Sequence, residues 1–466
     1  MDADQWRRYA RLSVAEGALA TAMGTLVSGV FLTGFALSLG AGGLAIGMLA
    51  ALPPLASLTQ LVGARLIERG VSRKRLCIRA LSMARLVWLA VLLVPFIPAT
   101  SGHLQIPSLI ALVGVSSIFS SLGGVASLSW TREMVPLEQR LGFLGIKHQF
   151  NTILALVLGI IGAGFVDWWN RGHLSSIGGF VCVLLAAVIC GLMGIPVLRR
   201  IDEPALDHPP ASLPTPKPTA ARQPLKERNF RNLVCFYISW NLASNLAAPF
   251  FAVYMLQKLG MPFWHIAALQ AVFSISGLAA NRIWTKLGNR FGTLPVVFLA
   301  TLGDAFYPLC WLFLTPETTW LLPLIFLFGA FGTPLAVGAP TLVMRLTPNE
   351  QASSYLATFN AVMGVVMATA AVAGGYLAAN VAAEPMTLGG IPMDGLKIVF
   401  LVSFVGRIAS LLLLRKVQEP GSVDLATMLR IAAAKFGERK LALPSSNPVA
   451  QVIQESGAVA HSEAIG

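Results

Sequence analysis

The chain is 466 residues long, 55% of them hydrophobic and only 12% charged, and its formal net charge is +13 at pH 7. Soluble globular domains carry about 25% charged residues, so this composition excludes an ordinary water-exposed surface. The basic residues lie between apolar segments and form no single patch, which argues against nucleic-acid binding and fits the positive-inside rule.

The apolar segments predict the fold class. A spanning helix needs about 20 mostly apolar residues, because the hydrocarbon layer of a bilayer is about 30 Å thick. Twelve segments meet this requirement and predict an all-α membrane protein with two pseudo-symmetric bundles of six helices. The predicted spans are 12–38, 43–64, 76–98, 105–128, 145–168, 176–198, 231–257, 263–285, 293–314, 319–344, 352–379 and 395–415.

Two segments interrupt this pattern. Residues 201–230 contain seven prolines among scattered cations and predict an extended cytoplasmic linker. This linker divides the chain into an N-terminal bundle, 1–200, and a C-terminal bundle, 231–420. Residues 421–466 form a predicted cytoplasmic tail, in which apolar residues after Ser422 recur at the spacing of an amphipathic helix.

The flanking charges predict the orientation. With the amino terminus inside, the outer loops hold little beyond Arg171, Lys258 and Lys397, while the inner loops hold most of the other loop cations. Such an asymmetry predicts a multi-pass protein of the bacterial inner (plasma) membrane with both termini cytoplasmic.

Two short motifs repeat between the halves. Residues 198–204 (LRRIDEP) return as 414–420 (LRKVQEP), and 136–140 (PLEQR) return as 348–352 (PNEQA), at separations of 216 and 212 residues. The agreement of the two separations predicts a duplicated half, related to its copy by an axis along the membrane normal.

This layout resembles the major facilitator superfamily over about residues 12–420. That family has a Gly/acid-Arg/Gly/basic motif after its second and eighth spans. The matching residues are Gly63, Glu68, Arg69, Gly70, Arg73, Lys74 and Arg75, then Gly288, Asn289, Arg290, Phe291 and Gly292. The first copy has displaced spacing, and Asn289 replaces the acid of the second. A signature before the fifth span, Trp130, Val135-Pro136 and Gly142-Phe143, is similar to that of poorly characterised bacterial members.

The resemblance implies a gating role for the loop motifs. A carboxylate and an arginine at the cytoplasmic ends of neighbouring helices pair in one conformation and separate in the other. The gating candidates are Glu68, Arg69, Asn289 and Arg290. The alternative is that these residues only determine topology, and the sequence gives the two interpretations similar weight.

Inserting a charged residue at the centre of a spanning helix costs about 2.5–3.5 kcal/mol on insertion scales, so each such residue requires a structural or functional explanation. These residues are Glu16, Arg85, Asp304 and Arg407. Glu16 and Asp304 are candidates for carrying a coupled proton. For Glu16 the alternative is pairing with Arg11 or a loop arginine. The other three lie on helices that the resemblance places at the periphery, where ion pairs between helices are the favoured role.

The resemblance also indicates which helices line the cavity, namely the first, fourth, seventh and tenth, with help from the second, fifth, eighth and eleventh. Asn241 and Asn245 share one helix face because they are four residues apart. Amides beside an aromatic ring suit a neutral or weakly charged organic substrate, although such residues also bond neighbouring helices in membranes. The binding candidates are Gln149, Asn151, Trp240, Asn241, Asn245, Gln270 and Asn360.

Several chemistries have no motif in the sequence. It contains no Walker-type phosphate loop, no Gly-x-Ser-x-Gly elbow and no Cys/His metal spacing, so we expect no enzymatic activity, cofactor or metal. We predict a proton-linked or facilitative carrier of a small organic molecule, with no nucleic-acid partner and no required oligomer. The alternative is a non-transporting assembly factor or receptor of the same fold.

Overall fold

The computed structural model describes residues 3–98, 104–135, 137–172, 176–201, 227–346, 352–381, 386–388, 391–419, 421–423, 427–428 and 430. Helices dominate this part of the chain. Most of the predicted linker, 202–226, and nearly all of the predicted tail helix lie outside the described residues.

The helices of the N-terminal half agree with the six predicted spans. They are α1 Ala3–Leu26, α2 Gly29–Ser38, α3 Gly43–Ala56, α4 Gln60–Glu68, α5 Arg73–Leu93, α6 Gln105–Met134, α7 Leu137–Gly172 and α8 Ser176–Arg199. The first span breaks between α1 and α2, where Gly29 has a φ of +57° that favours glycine. The second span tightens into a 3-10 turn, Ser57–Thr59, after Pro53 and Pro54.

The helices of the C-terminal half follow the second set of predicted spans. They are α9 Arg228–Gln257, α10 Phe263–Phe291, α11 Thr293–Ala305, α12 Tyr307–Cys310, α13 Leu322–Phe326, α14 Gly329–Arg345, α15 Ala352–Asn380 and α16 Gly395–Leu414. The ninth span combines α11 and α12, and the tenth combines α13 and α14. A short antiparallel hairpin, β1 Met386–Leu388 and β2 Ile391–Met393, precedes α16.

Eleven of the described segments are long and apolar enough to cross a membrane. The predicted seventh span is the exception. Its helix, α9, has 30 residues and begins at Arg228, inside the predicted linker, but it does not reach the apolar threshold of the others. The reason is that α9 carries polar residues such as Asn241 and Asn245, which face the cavity described below.

Contacts between helix ends show how the spans alternate. Asn232 Nδ2 donates to the carbonyl of Lys416, joining the start of α9 to the end of α16. Tyr254 and Leu314 meet at the opposite end, where the Tyr254 hydroxyl donates to the Leu314 carbonyl. We call the first side, which holds the start of α1 and the end of α16, the terminal end, and the other side the distal end.

The two halves meet along α3 and α15, and along α7 and α10. Glycines allow the first pair to approach closely. A Cβ on Gly43 would lie 3.2 Å from the Cβ of Ala378, and one on Gly364 would lie 2.9 Å from the carbonyl oxygen of Pro54. The largest cluster of buried apolar residues continues through both halves, from Phe35 in α2 to Phe400 in α16.

Candidate substrate-binding site

A cavity of about 770 Å³ lies in the C-terminal half, and its described lining comes from six of the spans of that half. The amide, hydroxyl and charged residues of the lining are Asn241, Ser244, Asn245, Gln270, Asp304, Asn360 and Arg407. The aromatic residues are Tyr237, Trp240, Phe251, Phe273, Tyr307 and Phe359. The volume is in the range of pockets that hold small organic molecules.

The cavity brings together five of the seven predicted binding residues. Trp240, Asn241 and Asn245 come from α9, Gln270 from α10 and Asn360 from α15. Gln149 and Asn151, both in α7, are not in this lining. Gln149 is exposed, whereas Asn151 lies beside Gly17 of α1.

The helical backbone of α9 orients its two asparagines. Asn241 Nδ2 donates to the carbonyl of Tyr237 at 2.8 Å, and Asn245 Nδ2 donates to the carbonyl of Asn241 at 3.0 Å. Each side chain is thereby held against the preceding turn. Amide groups that bond their own helix in this way are preorganised and need little rearrangement to bind a ligand.

An ion pair forms part of the lining. Arg407 Nη1 in α16 lies 2.7 Å from Asp304 Oδ2 in α11, and it also donates to the backbone carbonyl of Asp304 at 2.9 Å. The Arg407 guanidinium lies 5.3 Å from the ring centroid of Trp240, a cation–π contact. This single arginine therefore ties together the seventh, ninth and twelfth spans.

The resemblance placed Asp304 and Arg407 on peripheral helices, yet both side chains line the cavity. The favoured role of an ion pair between helices is nevertheless what the structure shows. The two charges neutralise each other, and the part of the lining that the structure describes holds no further Asp, Glu, Lys or Arg. The cavity thus presents a polar wall without net charge.

Three polar atoms of the lining are buried without a hydrogen-bond partner in the described part of the chain. They are Tyr237 Oη, Ser244 Oγ and Arg407 Nε. Buried polar groups in folded proteins nearly always have a partner, so such atoms beside a cavity mark positions for ligand or water. None of the three was among the predicted binding residues. Two of them are nevertheless close to such residues in α9, since Tyr237 lies one turn before Asn241 and Ser244 directly precedes Asn245.

The N-terminal half contains a second buried ion pair. Arg85 Nη2 in α5 lies 2.8 Å from Glu16 Oε1 in α1, and Arg85 Nη1 donates to the carbonyl of Gly191 in α8 at 2.7 Å. The sequence made Glu16 a candidate for carrying a coupled proton, with pairing to Arg11 or a loop arginine as the alternative. Its partner is instead Arg85 from the third span, and Glu16 does not belong to the lining of the cavity.

The two ion pairs occupy corresponding places in the duplicated halves. Arg85 joins the first, third and sixth spans, and Arg407 joins the seventh, ninth and twelfth. The arginine comes from the third span in one half and from the last span in the other. The third span of each half thus contributes one charge to its junction, an arginine in the N-terminal half and an aspartate in the C-terminal half.

The four gating candidates lie at the terminal end. Glu68 and Arg69 end the second span, and Asn289 and Arg290 end α10, where Arg290 lies 5.2 Å from the ring centroid of its neighbour Phe291. Among the contacts of the described residues, no hydrogen bond or ion pair joins any two of these four. Their gating role stays a prediction.

The comparisons with known proteins agree with this architecture. The sequence model of the Major Facilitator Superfamily matches residues 15–371 and 232–428, so the chain belongs to that family of transporters. A search of curated proteins finds no match.

Solved structures of several transporters share the fold. A mutant of the nucleoside transporter NupG aligns with a TM-score of 0.64 and 13% identity, covering 88% of this chain and 99% of NupG. A D-xylose-proton symporter aligns with a TM-score of 0.63 and 14% identity, covering 88% and 98%. A bacterial homologue of the iron transporter ferroportin, in an inward-facing state, gives 0.62 and 14%, covering 89% and 99%. The chain is thus a solute transporter by family, and a role as a non-transporting assembly factor or receptor is not favoured.

Proposed function

We propose that this transporter carries a small, neutral, hydrogen-bonding organic solute, bound in the cavity of the C-terminal half. The observation that supports this most directly is the lining itself. Its charges cancel, whereas its amides, its hydroxyls and the unpartnered Arg407 Nε offer donors and acceptors. A net-charged solute would enter a low-dielectric site without a compensating charge, at a high desolvation cost.

The aromatic residues narrow the class of solute further. Six aromatic side chains line the cavity, and they give it apolar faces next to the polar groups. A compact ring with hydroxyl or amide substituents satisfies both kinds of wall, because its face packs on the aromatic rings while its edge forms hydrogen bonds. Transporters of D-xylose and of nucleosides, with which the chain shares its fold, carry solutes of this kind.

Transport would proceed by alternating access, in which the two six-helix halves rock relative to each other and expose the cavity to one side of the membrane at a time. The positive-inside asymmetry supports an orientation in the inner membrane with the terminal end facing the cytoplasm. Proton coupling is the favoured form of active transport here. Glu16 and Asp304 support it, since each is a buried carboxylate paired with an arginine inside the membrane-spanning region, where ionisable residues often serve in proton transfer.

The test is uptake by purified protein in liposomes, with neutral sugars, nucleosides, amino acids and organic acids as a panel. Ligand-induced thermal stabilisation identifies the solute first, and counterflow then measures its exchange. Flux of a neutral ring compound supports the proposal. Flux confined to organic anions or cations, or no flux for any member, contradicts it.

A matched pair of asparagine substitutions tests the position of the site. Asn241→Ala removes an amide that lines the cavity, and Asn380→Ala removes one whose Nδ2 makes the same local bond, to the Tyr376 carbonyl at 2.9 Å, away from the cavity. We expect Asn241→Ala to raise the KM for uptake about tenfold, because a buried hydrogen bond to the solute is lost. Asn380→Ala should leave it unchanged. Equal effects would place the site elsewhere.

A further inference from the structure

The start of helix α10 lacks a capping side chain of its own. Its N-cap residue is Pro262, and no side chain at that position caps the helix. The first N–H groups of a helix have no partner within the helix and require one from elsewhere. Here the partner comes from the other half of the protein. Asp167 Oδ1 accepts a hydrogen bond from the Phe263 N–H at 3.0 Å, and its Oδ2 accepts one from the Trp264 N–H at 2.7 Å.

A ring contact accompanies this cap. The Phe263 side chain packs edge-on against Phe180 of α8, with ring centroids 5.2 Å apart. Gly34 of α2 makes room for it, since a Cβ on Gly34 would lie 2.6 Å from Phe263 Cε1. The first residue of α10 is thus held by the N-terminal half at both its backbone and its side chain. Asp167 itself is only 8% exposed.

From this geometry we infer that Asp167 is a positioning residue for the transport cycle, which closes the distal end of the protein by capping α10 across the boundary between the halves. The inference rests on the alternating access proposed above. Separation of the halves at the distal end would remove both donors from a buried carboxylate and both acceptors from the helix start. The contact therefore has two discrete states, made and broken, as a gate requires. Its charge-assisted hydrogen bonds favour the closed state.

Two other capping acids among the described residues lack this property. Asp394 accepts a hydrogen bond from the Lys397 N–H at 2.9 Å, and Glu419 accepts one from the Leu294 N–H at 2.7 Å. Both bonds lie within the C-terminal half, so movement of one half relative to the other leaves them intact. Asp394 lies at the distal end, as Asp167 does, and provides a matched control.

The experiment measures opening of the distal end directly, without a solute. Spin labels are placed at Arg171→Cys and Glu317→Cys, which are exposed distal positions in the two halves, after the five native cysteines are replaced. Pulsed electron paramagnetic resonance on the full chain in nanodiscs then gives the populations of short and long distances. Asp167→Asn and Asp167→Ala are compared with the parent and with Asp394→Asn.

We expect Asp167→Asn to raise the ratio of long to short distances about tenfold, with a larger effect for Asp167→Ala, and no change for Asp394→Asn. Phe263→Leu weakens the ring contact but keeps the backbone hydrogen bonds, and it should shift the ratio in the same direction. This variant provides a second measurement of distal opening if Asp167→Ala does not fold. An unchanged ratio in Asp167→Asn, or an equal change in Asp394→Asn, would overturn the inference.

The outcomes separate this inference from the proposed function. A distance shift without uptake of any solute would support the role of Asp167 and contradict the proposed transport. Uptake without a distance shift would support transport and refute the role of Asp167.

Discussion

Arg407 and Asp304 form a buried ion pair whose removal should affect stability in a way that one double-mutant cycle can measure. Their side chains are only 5% and 13% exposed, and their charged atoms are 2.7 Å apart. Asp304→Asn leaves the arginine buried without its counter-charge, and Arg407→Met leaves the carboxylate in the same position. The double variant Asp304→Asn/Arg407→Met removes both charges together.

The expected magnitudes follow from the cost of burying charge. Two unit charges about 4 Å apart attract by about 4 kcal/mol at an effective dielectric constant of about 20. Desolvation of both ions offsets most of this attraction, so a buried pair contributes little net stability. Loss of one partner costs about 3–5 kcal/mol because the other charge stays desolvated. Each single variant should lose that amount, and the double variant should lose less than the larger of the two.

Unfolding in mixed detergent micelles, followed by tryptophan fluorescence, gives the free energy of unfolding of each variant. Lys258→Met is the control, since Lys258 pairs with Asp394 at 3.1 Å but is 49% exposed, and such a pair contributes about 1 kcal/mol at most. Losses in the double variant equal to the sum of the single losses would refute the reasoning. They would show that the two side chains stabilise the protein through separate contacts.

Three further predictions follow from contacts described above. Glu16→Gln removes the counter-charge of Arg85, and it should abolish accumulation of the solute while counterflow continues. Unchanged accumulation would exclude Glu16 from coupling. Gly47→Val places a side chain against the backbone of Ala371 in α15 and should force α3 and α15 apart. The distances between the spin labels should then become longer, as expected for an open distal end. Unchanged short distances would show that the two helices accommodate the side chain without separating. Glu419→Ala removes the cap of α11 and should cost about 1 kcal/mol in the same unfolding assay, whereas an unchanged free energy would show that water replaces the carboxylate.

The positions of the spans were predictable because they depend on local properties. An apolar segment long enough to cross the lipid has few alternatives to a helix, and each of the twelve predicted segments consists mainly of helix in the described part of the chain. Five of the binding candidates meet in one cavity for a similar reason. They are polar residues on helices that otherwise avoid polarity, so burial in lipid is excluded for them and an internal surface remains.

The pairing of charges was not predictable from the sequence. Glu16 and Arg85 are 69 residues apart, and Asp304 and Arg407 are 103 apart, so each pair depends on how separate helices pack. Likewise, the sequence shows that Pro262 lacks a capping side chain, but only the fold brings Asp167 to the adjoining Phe263 N–H from 96 residues away. Tyr237 and Ser244 were missed because a single aromatic or hydroxyl residue on a buried helix carries no pattern that distinguishes a cavity wall from ordinary packing.

The shortage of apolar residues in α9 has a consequence for how the protein is made. This helix is the first span after the predicted linker, and among the described segments it is the predicted span that does not reach the apolar threshold for crossing a membrane. Its principal contacts in the finished protein are α15 and α16, which both follow it in the chain and are synthesised after it. The packing that holds α9 in place therefore forms only after α15 and α16 have also been synthesised.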